Sequence, residues 1–353
     1  DDATRIRLRA DVPWGAFLSG GVDSSSIVAL MARHVAQPVK TFCIGFADPR
    51  FDESAYPAGA ARRLRCGHTN GGAEPDMLDR WPQVLHHLDQ PHGDASFLPT
   101  LRVCGLAARQ VKVVLTGDGG DGLFAGYDKH AEFFGRAGVD TLSHAQFQRQ
   151  YLDAISLFTP AALQSLYRPA LAHRMSGLDS LQVAAPWFDE AAHFDRINQA
   201  LYLDMQLLLC GNNLVKPDRM GMAVGLEART PFLGWRLMEF AFRSPGATKL
   251  SPAGDKKHWY KRAVTPLIGQ DLAYRRKQMF TVPVGEWFRG ARHGWLRELL
   301  EGSGLLQSLF EPAAIEGLLA RHHSGEANHT RELRALAALA LWHREFPDAE
   351  VAW

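Results

Sequence analysis

Two glycine-rich turns hold the residue types that could handle a polyphosphate. The first is Leu18-Ser19-Gly20-Gly21-Val22-Asp23-Ser24-Ser25. Val12 to Leu18 ahead of it is apolar enough for a buried strand, and Ile27, Val28, Leu30 and Met31 behind it make a helical apolar face. Strand, tight turn and helix N-terminus together form an anion site, because free backbone N–H groups point outward and the helix dipole adds partial positive charge. Gly20 and Gly21 let the backbone approach a phosphate with no Cβ in the way. Ser19, Ser24 and Ser25 offer hydroxyl donors. Asp23 would repel a phosphate unless a Mg²⁺ ion sits between them. The competing reading is a glycine helix cap with a serine N-cap; a strand before and a helix after favour the phosphate loop. The second turn, Thr116-Gly117-Asp118-Gly119-Gly120-Asp121-Gly122-Leu123-Phe124-Ala125-Gly126-Tyr127, follows the strong short strand Val111–Leu115 and adds two more carboxylates. A Walker loop is excluded, since neither G-x-x-x-x-G-K-S/T nor a lysine in the turn is present.

These turns need a frame. Val39 to Phe46 reads as a second strand, β-branched and aromatic. Strand, helix, strand is a βαβ unit, which predicts a parallel sheet with right-handed crossovers. Phe51-Asp52-Glu53-Ser54 opens a helix with acid in its first turn; residues 76–88 and 97–109 read as further helices. The fold class is therefore α/β, a parallel sheet flanked by helices. In such sheets the ligand lies outside the carboxyl ends of the strands. The ends after Leu18, Ile44 and Leu115 all carry glycine, and one crevice could serve all three. From about residue 131 the strand pattern stops and helical periodicity dominates, broken by prolines. The expected organisation is an ATP-binding α/β core over 1–130 and a helical portion over 131–353 that completes the same site. That portion carries polar stretches in odd places: Lys216 to Met220, Gly225 to Leu233, Asp255 to Arg262, and Arg275 to Phe280. A closing amphipathic helix is expected over 331–345.

With 353 residues the chain can bury a sizeable core. A formal net charge of +1 supplies no long-range field for nucleic acid or a membrane surface. No apolar run is long enough to span a bilayer. Cys43, Cys66, Cys104 and Cys210 lack metal-ligand spacing and read as thiols in a reducing, cytoplasmic compartment.

The first turn has the S-G-G-x-D-S pattern of pyrophosphate-loop enzymes, which split ATP into AMP and pyrophosphate. With the second turn, the block from Asp218 to Leu233 and the lysines near 257 and 277, the chain resembles the synthetase domain of class B, glutamine-hydrolysing asparagine synthetases. β-Lactam synthetases are close relatives of that family. The resemblance runs from Ala10-Asp11-Val12-Pro13 to Leu341-Trp342-His343. It implies an adenine nucleotide α-hydrolase-like fold and two cofactors, ATP and Mg²⁺. It implies activation of a carboxylate, by default aspartate, as an acyl-adenylate, and then attack by ammonia. Asp23 and Asp121 match the Mg²⁺ ligands. Ser19, Gly20, Gly21 and Ser24 would hold the pyrophosphate, and Phe17, Ile44, Thr116 and Gly117 the adenosine; Phe17 and Ile44 are equally well read as core. Lys277 matches a lysine on the α-phosphate and the substrate carboxylate. Lys257 matches a second lysine near the pyrophosphate, with Lys256 as its competitor.

Asp118 stands where asparagine synthetases place Glu and β-lactam synthetases place Tyr, the latter paired with an acid matching Glu227. Either carboxylate could serve as a base for the attacking amine, although Glu227 with Arg229 could instead be a structural ion pair. Gly122, Gly234 and Gln90 stand where the family carries acids, which puts the substrate in question. The family releases ammonia in an N-terminal glutaminase domain with an N-terminal cysteine. Here the first cysteine is Cys43, so either the chain is the synthetase half of a longer protein or a partner supplies the ammonia. Oligomeric state, a homodimer included, is left open. The alternatives are an amidotransferase or cyclase of the same family acting on another carboxylate or amine, and a nucleotide-binding scaffold without activity.

Overall fold

Five strands form one sheet: β1 (Trp14–Phe17), β2 (Lys40–Phe46), β3 (Gly67–Ala73), β4 (Val113–Leu115) and β5 (Glu227–Arg229). Their order is β3-β2-β1-β4-β5, and every neighbouring pair is parallel. The computed structural model describes residues 1–46, 55–73, 75–275 and 283–348. The centre of the sheet is built from small and β-branched residues. Ala16, Val113, Val114 and Leu115 are buried, as expected for strands covered on both faces by helices. Ile27, Val28 and Met31, on the helix after β1, pack into the same core.

The order matters more than the count. From β1 the chain moves outward through β2 to β3, then returns to place β4 and β5 on the other flank. The crossover direction reverses between β1 and β4, and a ligand crevice opens at such a reversal, outside the carboxyl ends of the strands. In register, Ala16 lies beside Leu115, which lies beside Arg229. The loops that leave β1 at Leu18 and β4 at Thr116 therefore rise side by side.

Two strands escape the sequence pattern. β3 is Gly67-His68-Thr69-Asn70-Gly71-Gly72-Ala73, too rich in glycine to read as a strand. β5 has only three residues, two of them charged. Other elements match expectation closely: helices Val22–Ala32, Trp81–Leu88, Phe97–Ala108 and Thr330–Glu345. The stretch 76–88 is split, with a 3₁₀ turn over Pro75–Arg80 ahead of its helix. The expected opening of a helix at Phe51–Ser54 lies outside the described residues, and helix Ala55–Leu64 follows.

The chain divides into two compact units that do not follow a single cut point. One comprises Asp1–Ala73, Thr100–Ile155 and Ser180–Met279 and contains the whole sheet. Within it, Phe133, Phe147, Tyr151 and Phe188 form a second, aromatic core beneath the helices. The other comprises Glu74–Pro99, Ser156–Asp179 and Phe280–Trp353. It is helical around buried Trp81, Phe288 and Leu336, and the Trp342 indole donates to the Asp89 carbonyl at 3.2 Å. Among the described residues, no helix is long and apolar enough to cross a membrane.

Candidate active site

The loop after β1 is held in one shape by its own side chains. Gly20 has φ +71°, and a Cβ there would lie 2.8 Å from the carbonyl carbon of Tyr56, so only glycine fits. The Ser19 N–H donates to Ser24 Oγ at 3.1 Å, the two hydroxyls are 3.0 Å apart, and the Gly21 N–H points at Ser19 Oγ at 3.4 Å. Gly21 is the N-cap of helix Val22–Ala32 and gives the helix no side-chain cap. An uncapped helix N-terminus behind a glycine turn is suited to an anion. Arg275 braces this loop from outside: its guanidinium donates to the Ser19 carbonyl at 3.2 Å and lies 3.7 Å from the Tyr56 ring centroid.

Asp23 is in the first turn of that helix, and Asp121 is in the short helix Gly120–Leu123 after β4. The structure brings both to one cation. Lys257 Nζ contacts Asp23 Oδ2 and lies 2.7 Å from Asp121 Oδ1. Lys257 is 3 % exposed. Burial alone would depress its pKa, but the charges of Asp121 and Asp23 more than offset that and hold it above the usual lysine value. Its backbone is fixed as well: φ is +55°, and its N–H donates to the Phe124 carbonyl at 3.1 Å. Gly126 makes room for the lysine stem, since a Cβ there would sit 2.1 Å from Lys257 Cε and 2.0 Å from Asp121 Oδ1. Between the two neighbouring lysines the structure chooses plainly. Lys256 pairs with Asp128 and does not reach the carboxylate pair.

Asp118 lies between these elements, half-buried. Desolvation raises its pKa and the nearby Asp121 charge adds to the rise, while a bond to Thr116 and the charge of Lys216 work against it. The net effect is upward, so the Asp118 carboxylate is more basic than that of an ordinary aspartate. Lys216 is in the first turn of the helix Val215–Met222, which follows a π-helical stretch over Met205–Asn213. That stretch also delivers Asn213, whose side-chain amide donates to the Tyr127 hydroxyl. Tyr127 is held strongly in its neutral form by burial and by the surrounding aspartates Asp121, Asp118, Asp204 and Asp23. Behind Tyr127, buried Asp204 accepts from Lys129 and pairs with His130, each at 2.7 Å. Burial would raise the Asp204 pKa, but those two partners bring it below the ordinary value.

Phe17, Thr116 and Gly117 lie together at the carboxyl ends of β1 and β4, with Thr116 buried and Phe17 half-buried. Ile44 is in β2 beside Gly71, and its side chain packs into the space that a Cβ on Gly71 would need, 2.7 Å from Ile44 Cδ1. That contact is what a core residue makes. Glu227 is not brought to the carboxylate cluster. It is in register with Val113 and Trp14, at the amino end of the parallel sheet, whereas the crevice is at the carboxyl end. Its carboxylate pairs with Arg229, 2.7 Å and 3.3 Å in a fork, and Arg229 also donates to the carbonyls of Arg7 and Arg9 at 2.8 Å each. The Arg229 bonds hold Glu227 below the usual glutamate pKa, as in an ion pair. Lys277 lies outside the described residues.

Lys216 and Tyr127 are the residues that sequence reasoning did not single out. The only signals were their positions beside recognised blocks, Lys216 just before Pro217 and Tyr127 as the last residue of the second glycine turn.

Among the described residues, no three His, Cys, Asp or Glu side chains form a ready metal cluster. Two carboxylates meeting at one cation position are nevertheless what a Mg²⁺ ion shared with phosphate oxygens requires. Asp23 and Asp121 fit that role.

Residues 1–344 match the family model described as asparagine synthase. A Mycobacterium tuberculosis protein, named provisionally as a glutamine-hydrolysing asparagine synthetase, is 30 % identical over 99 % of this chain and 57 % of its own length. Glutamine-hydrolysing asparagine synthetase 1 of Bacillus subtilis is 26 % identical over 97 % of the chain and 57 % of its own length. An amidase of Penicillium rubens, chyE, is 34 % identical over 36 % of the chain and 21 % of its own length. The chain thus spans little more than half the length of the first two relatives.

Proposed function

Because the chain belongs to the asparagine synthase family, we propose that it is an ATP-dependent, amide-forming ligase. One observation carries the reading: Asp23 and Asp121, from the helix N-termini that follow β1 and β4 on either side of the sheet's reversal point, meet at a single cation position. The substrate carboxylate oxygen attacks the α-phosphorus of ATP. The bond to the β-phosphate breaks and pyrophosphate leaves, giving an acyl-adenylate. Ammonia then attacks the acyl carbon, the carbon–oxygen bond to AMP breaks, and the amine gives up its protons. Aspartate is the default acid and asparagine the default product.

Each residue has a stated task. The Ser19–Ser24 turn and the helix N-terminus behind it grip the departing pyrophosphate. Asp23 and Asp121 would hold Mg²⁺, which when bound neutralises charge on the phosphates. Lys257 supplies a positive charge to the departing pyrophosphate. Lys277, two residues beyond the loop-bracing Arg275, is assigned to the α-phosphate and the substrate carboxylate. Phe17, Thr116 and Gly117 flank the adenosine. Asp118, with its raised pKa, takes a proton from the attacking amine. Residues beyond 130, Lys216 and Lys257 among them, complete the site of the α/β core. The ammonia comes from glutamine hydrolysis in a domain or partner, as the names of the relatives suggest.

The test is exchange of radiolabelled pyrophosphate into ATP, measured with a panel of carboxylic acids. Exchange that requires aspartate supports the default. Exchange that requires another acid keeps the ligase but changes its substrate. No exchange with any acid sinks the ligase reading and favours a nucleotide-binding scaffold.

A further inference from the structure

The Asp23–Lys257–Asp121 cluster presents a physical conflict. The ammonium lies against both carboxylates that the proposed function assigns to a divalent ion. Two positive ions drawn to one point repel each other, strongly so where water is scarce. The lysine cannot retreat by moving its backbone. Its N–H is bound to the Phe124 carbonyl, its φ is +55°, and Gly126 closes on its stem. Rotation of the side chain can clear the position, and parting a buried ammonium from its carboxylates is costly unless another anion receives it.

We propose that Lys257 is a resident cation, which fills the shared carboxylate position in the nucleotide-free protein and yields it only when a polyphosphate arrives to take the ammonium. This rests on the assignment of Asp23 and Asp121 as metal ligands. In consequence the free divalent ion binds poorly, and the metal enters together with nucleotide. The lysine then changes partner, from carboxylate to phosphate, without any shift of the main chain. It also offsets the mutual repulsion of Asp23 and Asp121.

The probe is Mn²⁺, with protein-bound ion counted by electron paramagnetic resonance. Without nucleotide, Lys257→Met should bind Mn²⁺ at least tenfold more tightly than the wild type, and adding Asp121→Asn to that variant should reverse the gain. Lys257→Gln, with folding checked by circular dichroism, gives a second neutral side chain. On the wild type alone, adding inorganic tripolyphosphate should tighten binding of protein-bound Mn²⁺ at least tenfold. Equal Mn²⁺ affinity in the wild type and the neutral variants overturns the proposal, as does a gain that survives Asp121→Asn or a wild type indifferent to tripolyphosphate. Failure of the underlying metal assignment has a different signature: Mn²⁺ bound with a non-hydrolysable ATP analogue would then persist in Asp23→Asn.

Discussion

Lys249 offers a stability test with a sign and a size. It is 2 % exposed, and its ammonium donates to Asn198 Oδ1 at 2.7 Å and lies 4.8 Å from the centroid of the Phe242 ring. Burial depresses its pKa from 10.5 to about 8, with the charge of Asp195 pulling weakly the other way. Between those values the unfolded chain holds a proton that the folded chain has lost. Stability from this group therefore rises with pH from about 8 to 10.5, and below 8 its full cost is present. At about 1.4 kcal/mol per tenfold, the gap corresponds to roughly 3 kcal/mol. Alkaline pH also titrates the buried thiols Cys66 and Cys104, pushed up to about 11 and about 12 by burial, and these act in the opposite direction. Comparing the wild type with Lys249→Met cancels them. Urea unfolding of both proteins from pH 7 to 10.5 should show the wild type gaining on the variant by about 1.4 kcal/mol per pH unit above pH 8. The absolute offset at pH 7 is smaller than 3 kcal/mol in the variant's favour, because Asn198 loses a partner at a cost of about 1–3 kcal/mol. A difference between the two proteins that does not change with pH would refute the reasoning.

Three further outcomes follow from the site. Glu227→Gln should leave the rate of amide formation within about twofold of the wild type, because the Glu227–Arg229 pair lies at the amino end of the sheet; a collapse of amide formation in a folded variant that keeps exchange would restore Glu227 to the chemistry. Asp118→Asn should retain exchange but slow amide formation by about 10²–10⁴, and should remove the acid limb of the wild-type pH–rate profile, which lies above the ordinary carboxylate range; equal loss of both half-reactions would place Asp118 in adenylation instead. Lys277→Ala should cost about 10²–10³ in exchange rate, as loss of one transition-state donor does, and a loss below tenfold would dismiss it.

The parts of this molecule that local patterns encode could be read in advance. Leu18 to Ser25 announces its strand, turn and helix because glycine, serine and apolar spacing all act within a few residues. The second turn after Leu115 is legible for the same reason. What could not be read depends on distant neighbours. Gly71 makes sense in a strand only once Ile44 is seen filling the space beside it. Glu227-Ala228-Arg229 becomes a strand because β4 supplies the hydrogen bonds and Arg229 ties down the carbonyls of Arg7 and Arg9. Lys256 and Lys257 are indistinguishable by spacing, and the left-handed backbone at Lys257 decides which one turns inward. The charge of Lys216 acts on Asp118 from a helix that follows a π-helical stretch, and no periodicity announces that.

Oxygen transfer from the acid to the nucleotide tests the central claim most directly. A carboxylic acid carrying oxygen-18 in both carboxylate positions would be incubated with the protein, ATP, Mg²⁺ and ammonium, and the products analysed by mass spectrometry. Adenylation predicts one labelled oxygen in AMP, none in pyrophosphate, and an amide that keeps the other label. Label in orthophosphate with release of ADP, or AMP formed without label, would contradict it.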